Sequence, residues 1–132
     1  MNKKEIFKDK RGTIEILEKN LTIDLLRIKS KINTKRAAHY HKTSGHWCIV
    51  TSGEIQYYER PVGKNIKPRY TLYERGDMFW TGPMIEHLMV FPNYNDNEFI
   101  CLSTGKRTQK EYEKDLVRIN YDLAKLYSKW KD

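Results

Sequence analysis

Apolar and polar residues alternate in short segments along most of the chain. In residues 12–18, Ile14 and Ile16 fall on one side of the alternation, and Thr13, Glu15 and Leu17 on the other. A period of two residues is typical of β-strands, because successive side chains of a strand point to opposite faces. The segments predicted as strands are 12–18, 21–28, 36–41, 46–51, 54–60, 69–73, 78–80, 86–91 and 98–103.

Turn-forming residues separate these segments at regular intervals. The pair Ser52-Gly53 between two predicted strands is a hairpin signal. Further turns, rich in glycine, proline, asparagine and aspartate, are expected at residues 61–65, 75–77, 82–83 and 92–96. Many short strands separated in this way predict an all-β protein, either a sandwich or a barrel.

The C-terminal segment follows a different period. From Thr108 to Trp130, apolar residues recur at helical spacing and charged residues fill the other face. We therefore expect one amphipathic helix, or two helices broken near Asn120. The predicted organisation is a β-barrel over residues 1–107, with residues 108–132 as a helical extension of the same domain. The apolar helical positions are Tyr112, Leu116, Ile119, Leu123, Leu126 and Trp130.

The composition is that of one globular domain. The chain has 132 residues, of which 39% are hydrophobic and 32% charged, and this balance excludes a disordered chain. It contains no apolar run of about 18 residues, so no membrane-spanning helix is expected. The first residues lack the apolar core of a secretory signal. Cys48 and Cys101 lie in apolar runs, which predicts buried, reduced thiols and a cytoplasmic protein.

The charge balance indicates the kind of partner. The formal net charge is +8 and the sequence pI is about 9.4, which favours anionic partners. The sequence has no recognition helix, zinc-finger spacing or aromatic RNA-binding signature, so nucleic acid is not the expected partner. A small anionic molecule is the partner that we expect.

The chain's 4 histidines suggest a metal site. His39 and His41 lie two apart on a predicted strand, so they share one face with Cα atoms roughly 6.6 Å apart. Both imidazoles can then reach one ion at about 2.1 Å. His46 begins the next strand and His87 lies on a distant one, and a barrel can bring these strands together at its mouth. We predict that all four histidines bind a divalent transition metal, whether Zn, Fe, Ni, Mn or Cu.

The histidine spacing resembles the two motifs of the cupin superfamily. His39, His41, His46 and Gly53 follow the first motif, and the stretch from Gly76 to His87 follows the second. The resemblance implies a cupin jelly-roll barrel, here followed by the C-terminal helix.

The match to the two motifs is partial. His46 replaces the usual glutamate of the first motif, whose opening glycine position holds Asn33. In the second motif, Gly82 and Met84 occupy the proline and glycine positions, and Phe91 occupies the final asparagine position. The predicted site therefore has four nitrogen donors and no carboxylate.

Further motifs are similar to those of RmlC-like sugar-nucleotide cupins, namely dTDP-4-dehydrorhamnose 3,5-epimerase and the dTDP-sugar 3,4-ketoisomerases. They are the opening Asp9-Lys10-Arg11-Gly12, Arg36 three positions before the first core histidine, and Gly82-Pro83 ahead of His87-Leu88-Met89. This resemblance implies an isomerase or epimerase of carbohydrate biosynthesis. Such an enzyme moves a proton next to the carbonyl of a sugar nucleotide or sugar phosphate.

That chemistry requires an acid–base group and a means of stabilising an enediolate. The resemblance implies that His39 and His41 are the acid–base pair if no metal binds. If a metal occupies these imidazoles, the base would be Tyr57, Tyr40 or Glu86. The substrate-binding candidates are Arg36 and Arg69 for phosphate groups, and Trp80 for stacking on a base or sugar.

Two other functions remain open from the sequence. One is a metal-dependent dioxygenase-type cupin enzyme that acts on another small molecule, since histidine ligands with an open position can activate oxygen or water. The other is a non-catalytic cupin that binds a small ligand, which would explain the missing carboxylate. In each case we expect a homodimer, because exposed strand edges need to be covered.

Overall fold

The computed structural model describes residues 6–19, 23–92, 96–104 and 109–131. The strands are β1 (Ile6–Asp9), β2 (Gly12–Lys19), β3 (Ile23–Ser30), β4 (Thr34–His41), β5 (His46–Ser52), β6 (Glu54–Pro61), β7 (Arg69–Glu74), β8 (Met78–Thr81), β9 (Ile85–Phe91), β10 (Asn97–Thr104) and β11 (Leu116–Arg118). The helices are α1 (Gln109–Asp115) and α2 (Leu123–Lys129).

The strands form two antiparallel sheets. The first sheet has the order β1-β2-β3-β10-β5-β8, and the second has the order β11-β4-β9-β6-β7. Strands distant in sequence are therefore neighbours, as where β10 lies between β3 and β5. The all-β fold expected from the alternating pattern is confirmed, and each predicted strand is present. Residues 21–22 of one predicted strand, and residues 93–95 of a predicted turn, lie outside the described residues.

The core lies between the two sheets. In β5, His46, Cys48 and Val50 are buried, whereas Trp47 and Ile49 are exposed, as the period of two requires. Strands of both sheets contribute to one apolar cluster, in which the rings of Phe91 and Phe99 stack with centroids 6.0 Å apart. The buried members of this cluster are Ile28, Cys48, Val50, Ile55, Tyr57, Phe79, Met89, Phe91, Phe99 and Cys101.

The C-terminal segment forms two helices, as in the second of the two expected arrangements. The break between them is longer than the sequence indicated. Residues 116–118 form β11, which pairs with the end of β4 and places Leu116 opposite His41. The prediction of helix over these residues is wrong, because pairing with the open edge of β4 outweighs the helical period of the side chains. The boundary expected between residues 107 and 108 lies outside the described residues.

Helix α2 covers the outer face of the second sheet. Asp122 caps its first turn by accepting hydrogen bonds from the backbone amides of Ala124 and Lys125. Leu123 is fully buried, and the ring of Tyr127 packs against Tyr58. No helix in the described parts of the chain is both long enough and apolar enough to cross a membrane.

Candidate metal centre

A β-bulge in β4 determines which side chains face the interior. The register between β4 and β9 shifts between Ala37 and His39, so Ala38 is the extra residue. Ala37 and Ala38 have φ values of 73° and 60°, in the left-handed region that residues with a Cβ rarely adopt. Because of the inserted residue, Arg36 and His39 line the same cavity although they are three positions apart.

Three of the four histidines lie close enough to share an ion. Their ligand atoms, one each from His39, His41 and His87, all lie within 4.8 Å of one another. His39 is directly opposite His87 in the pairing of β4 with β9, and their ring centroids are 4.7 Å apart. The ring centroids of His39 and His41 are 4.9 Å apart, as expected for alternate residues on one strand face.

His87 presents a neutral nitrogen to this cluster. Its Nδ1 lies 3.0 Å from the carbonyl oxygen of Ile85. A carbonyl oxygen only accepts, so Nδ1 carries the proton and Nε2 has a free lone pair. Nε2 is buried and has no hydrogen-bond partner. Burial, followed by the nearby His39 and His46, holds the pKa of His87 well below its usual value. An unpartnered buried acceptor of this kind fits a metal ligand.

Asp115, at the end of α1, orients His41. Its Oδ2 lies 3.1 Å from Nδ1 of His41, and its Oδ1 accepts from the amide and the hydroxyl of Thr43 at 2.7 and 2.8 Å. The hydroxyl of Ser44 also donates to Oδ2. Burial alone would raise the pKa of Asp115, but the hydrogen bonds from Ser44 and Thr43 and the nearby His41 together lower it well below its usual value. The carboxylate therefore stays charged and holds the ring of His41 through its Nδ1 atom.

His46 lies beside this trio but groups with other side chains. Its ring centroid is 5.4 Å from that of His87 and 5.8 Å from that of His41. Its Nδ1 lies 3.4 Å from the Sγ atom of Cys48. Ligand atoms of His46, Cys48 and Cys101 lie within 4.8 Å of one another, and all three residues are buried. The expectation that His46 shares the ion of the other histidines stays a prediction.

His39, His46 and His87 open into a cavity of about 900 Å³, whereas His41 is not among the described residues that line it. Three arginines, Arg11, Arg36 and Arg118, line it together with His39 and His87. Arg36 is held in place, since its Nε donates to Ser30 Oγ at 2.7 Å and its Nη2 to the carbonyl oxygen of Lys29 at 3.0 Å. Burial, with Arg11 nearby, lowers the pKa of Arg36 to about 10, so the guanidinium keeps its charge at neutral pH. The cavity thus combines positive charge with imidazoles, while its remaining wall is largely apolar.

Three other predicted residues are not among the described residues that line this cavity. Tyr57 is buried, and its hydroxyl hydrogen-bonds Thr81. Burial raises the pKa of Tyr57 well above its usual value, so it is protonated at neutral pH. Arg69 is exposed on β7, opposite Glu59. Trp80 is 42% exposed on β8, with its ring centroid 5.3 Å from that of Trp47.

Glu86, one of the alternative bases, is used elsewhere. It precedes His87 on β9 and is buried, and its Oε1 accepts from Nε of Arg60 at 2.8 Å. The hydroxyl of Tyr121 donates to its other oxygen. These contacts tie the segment before α2 to the second sheet.

Two oxygen groups that were not predicted as catalytic or binding residues do line the cavity. Asp24 is a buried carboxylate on β3, and Tyr112 lies on α1, where its ring centroid is 5.9 Å from that of His41. Asp115 was also missed. No local pattern places these residues at the site, because each reaches it through contacts between distant parts of the chain.

Comparison with known proteins identifies the fold. No family model matches the sequence, and no curated protein matches it either. Solved structures do match, among them the cupin domain of Drosophila melanogaster CENP-C, with a TM-score of 0.58 at 17% identity over 74% of this chain and 73% of that chain. The chain has the cupin fold.

Other cupin structures resemble more of the chain. The capsular polysaccharide assembling protein CapF of Staphylococcus aureus matches with a TM-score of 0.82 at 14% identity, over 92% of this chain but only 35% of CapF. Oxalate decarboxylase of B. subtilis, in a variant form, matches with a TM-score of 0.72 at 13% identity, over 88% of this chain and 30% of the enzyme. At these identities the likeness shows the fold alone.

Proposed function

We propose that this cupin is a metal-dependent isomerase or epimerase that acts on a sugar nucleotide or sugar phosphate, of the RmlC-like type. The observation that carries the proposal is the cavity in which Arg11, Arg36 and Arg118 lie together with the histidine cluster. Guanidinium groups match phosphate oxygens in charge and shape. The structural likeness to CapF, whose name refers to capsular polysaccharide, is consistent with a sugar-related ligand.

The proposed ion is held by His39, His41 and His87, the three histidines with converging ligand atoms. The unpartnered Nε2 of His87 is the best single argument that a metal belongs here. A bound divalent metal would act as a Lewis acid that stabilises the enediolate oxygen. Asp115 fixes the orientation of His41, and Arg36 holds the anionic end of the substrate.

The proton carrier must then be a group that is not a ligand. Tyr57, Tyr40 and Glu86 are not among the described residues that line the cavity, so the carrier is drawn from the oxygen groups that do line it, Asp24 and Tyr112. If the site binds no metal, His39 and His41 are uncoordinated and become the acid–base pair, as the sequence resemblance implied.

A second candidate function is a dioxygenase-type reaction on another small molecule. Three histidine ligands leave coordination positions open, which suits the activation of oxygen or water. The arginines at the cavity favour the sugar-phosphate substrate, and Arg36 most of all, because Arg11 and Arg118 also pair with the carboxylates of Asp9 and Glu113. A cupin that only binds a small ligand would show nucleotide binding without turnover.

The test begins with the metal content of untagged protein and with calorimetric binding of dTDP and UDP. We expect the His41→Ala, His87→Ala double variant to lose one equivalent of metal per chain relative to the wild type, and Arg36→Gln to lose nucleotide binding. Arg69→Gln is the matched control, since it removes the same charge outside the cavity and should bind nucleotide normally. Equal binding by both arginine variants would refute the proposed substrate site.

We also propose that the cupin forms a homodimer through the outer face of the first sheet. Trp47 and Ile49 on β5 lie opposite Trp80 and Met78 on β8, and all four side chains are substantially exposed. Adjacent exposed apolar side chains on an edge of a sheet are characteristic of a surface that pairs with another chain.

A further inference from the structure

The two cysteines and His46 form a compact cluster inside the barrel. His46 and Cys48 lie on the buried face of β5, and Cys101 lies on β10 directly opposite Cys48. Ligand atoms of the three residues lie within 4.8 Å of one another. Both cysteines are free and buried. The register of two neighbouring strands therefore brings two thiols and one imidazole to one point.

We propose that His46, Cys48 and Cys101 form a second metal site, specific for a thiophilic cation such as Zn(II) or Cu(I). Two thiolates and an imidazole are a soft ligand set, and thiolates select Zn and Cu(I) over harder ions. This site goes beyond the proposed function, and it stands whether or not the three other histidines bind an ion.

The distances are compatible with coordination. Bond lengths of about 2.3 Å to sulfur and 2.1 Å to nitrogen place a thiolate and an imidazole roughly 3.6 Å apart around a tetrahedral ion. Nδ1 of His46 lies 3.4 Å from Sγ of Cys48. Two thiolates also neutralise a divalent cation, which removes the cost of burying its charge.

This assignment gives His46 a different role from the four-histidine site. Its Nδ1 lies beside the thiol of Cys48, so this nitrogen is the one offered to the proposed thiolate site. The glutamate of the first cupin motif is replaced here by the residue type that completes a thiolate site. His46 and Cys101 both line the large cavity, so a fourth coordination position would open toward the substrate space.

Cobalt titration distinguishes this site from the histidine trio. Apo protein, prepared without a tag and kept reduced, is titrated with Co(II) while its absorption spectrum is recorded. Sulfur ligands give a charge-transfer band in the near ultraviolet that nitrogen ligands do not give. We expect this band in the wild type, its loss in Cys48→Ala and Cys101→Ala, and its persistence in the His39→Ala, His87→Ala double variant.

A second measurement uses only the wild type, so it does not depend on whether the variants fold. The rate at which the thiols of the wild type react with a disulfide reagent is measured with and without Zn(II), and we expect Zn(II) to slow it at least tenfold. The absence of a sulfur band together with unprotected thiols would overturn the site. The same variants test the histidine centre independently. If the histidine trio binds no ion, the His39→Ala, His87→Ala double variant will have the same total metal content as the wild type.

Discussion

Arg36 and His39 line one cavity, although residues three apart on a regular strand face opposite sides of the sheet. The extra residue Ala38 reverses the alternation between them, and the ring of His41 lies beside that of His39. The bulge thus brings the proposed anion-binding side chain to the same cavity as a proposed metal ligand. We consider it the local feature on which the combined site depends.

The first prediction concerns the conformation of Ala38, whose φ is 60°. Ala38→Val should lower the free energy of unfolding by about 2 kcal/mol, because a β-branched side chain is strongly disfavoured at positive φ. The Val variant should also bind less metal, since relaxing the bulge moves His39. Urea unfolding and metal analysis measure both effects. Ala38→Gly is the control and should keep its stability within about 1 kcal/mol. A Val variant as stable as the Gly variant would show that the bulge has another conformation.

The second prediction tests the link between Asp115 and His41. Asp115→Asn should weaken metal binding by roughly 10- to 100-fold, because the amide no longer fixes the protonated nitrogen of His41. Competition with a chelator of known affinity for Zn(II) gives the measurement. Glu113→Gln on the same helix is the control, since Glu113 is exposed and pairs with Arg118. Unchanged affinity in Asp115→Asn would mean that Asp115 only holds the loop at Thr43 and Ser44.

The third prediction concerns Asp122, which caps α2 and contacts Lys35 with an N–O distance of 2.7 Å. Burial raises its pKa, but the contact with Lys35 and the amides of Lys125 and Ala124 outweigh burial, so the pKa lies below the ordinary 3.8. Because the pKa is lower in the folded state, the charge of Asp122 stabilises the protein when the pH is above the pKa of the unfolded chain. This stabilisation is lost as the pH falls through the pKa of the folded protein.

Asp122→Asn retains the capping oxygen but loses the charge. The wild type should therefore be more stable than this variant at pH 7, by less than about 1 kcal/mol because the lysine is half exposed. The difference should shrink as the pH is lowered below 3.8. Urea titrations of both proteins at several pH values measure it. A difference that is independent of pH would exclude the charge of Asp122 as its source.

The sequence predicted what depends on local pattern and missed what depends on tertiary contacts. The strands follow from the alternation, and the cupin fold follows from the resemblance of His39, His41, His46 and His87 to the two cupin motifs. The bulge was not predicted, because two alanines carry no signal for positive φ. Asp115 reaches His41 across 74 positions, and β11 exists only because β4 has a free edge. Trp80 was predicted to bind substrate because it lies within the second motif, close to its turn, but it is on the exposed face of β8.

The last prediction concerns the exposed face formed by Trp47, Ile49, Met78 and Trp80. Ile49→Lys combined with Met78→Lys should convert a dimer to a monomer, because two buried lysine charges on each chain oppose association. Light scattering coupled to size-exclusion chromatography gives the mass. Leu72→Lys is the control, since Leu72 is similarly exposed but lies on β7 of the other sheet. A double variant that remains dimeric, or a wild type that is monomeric at micromolar concentration, would mean that this face does not join two copies of the chain.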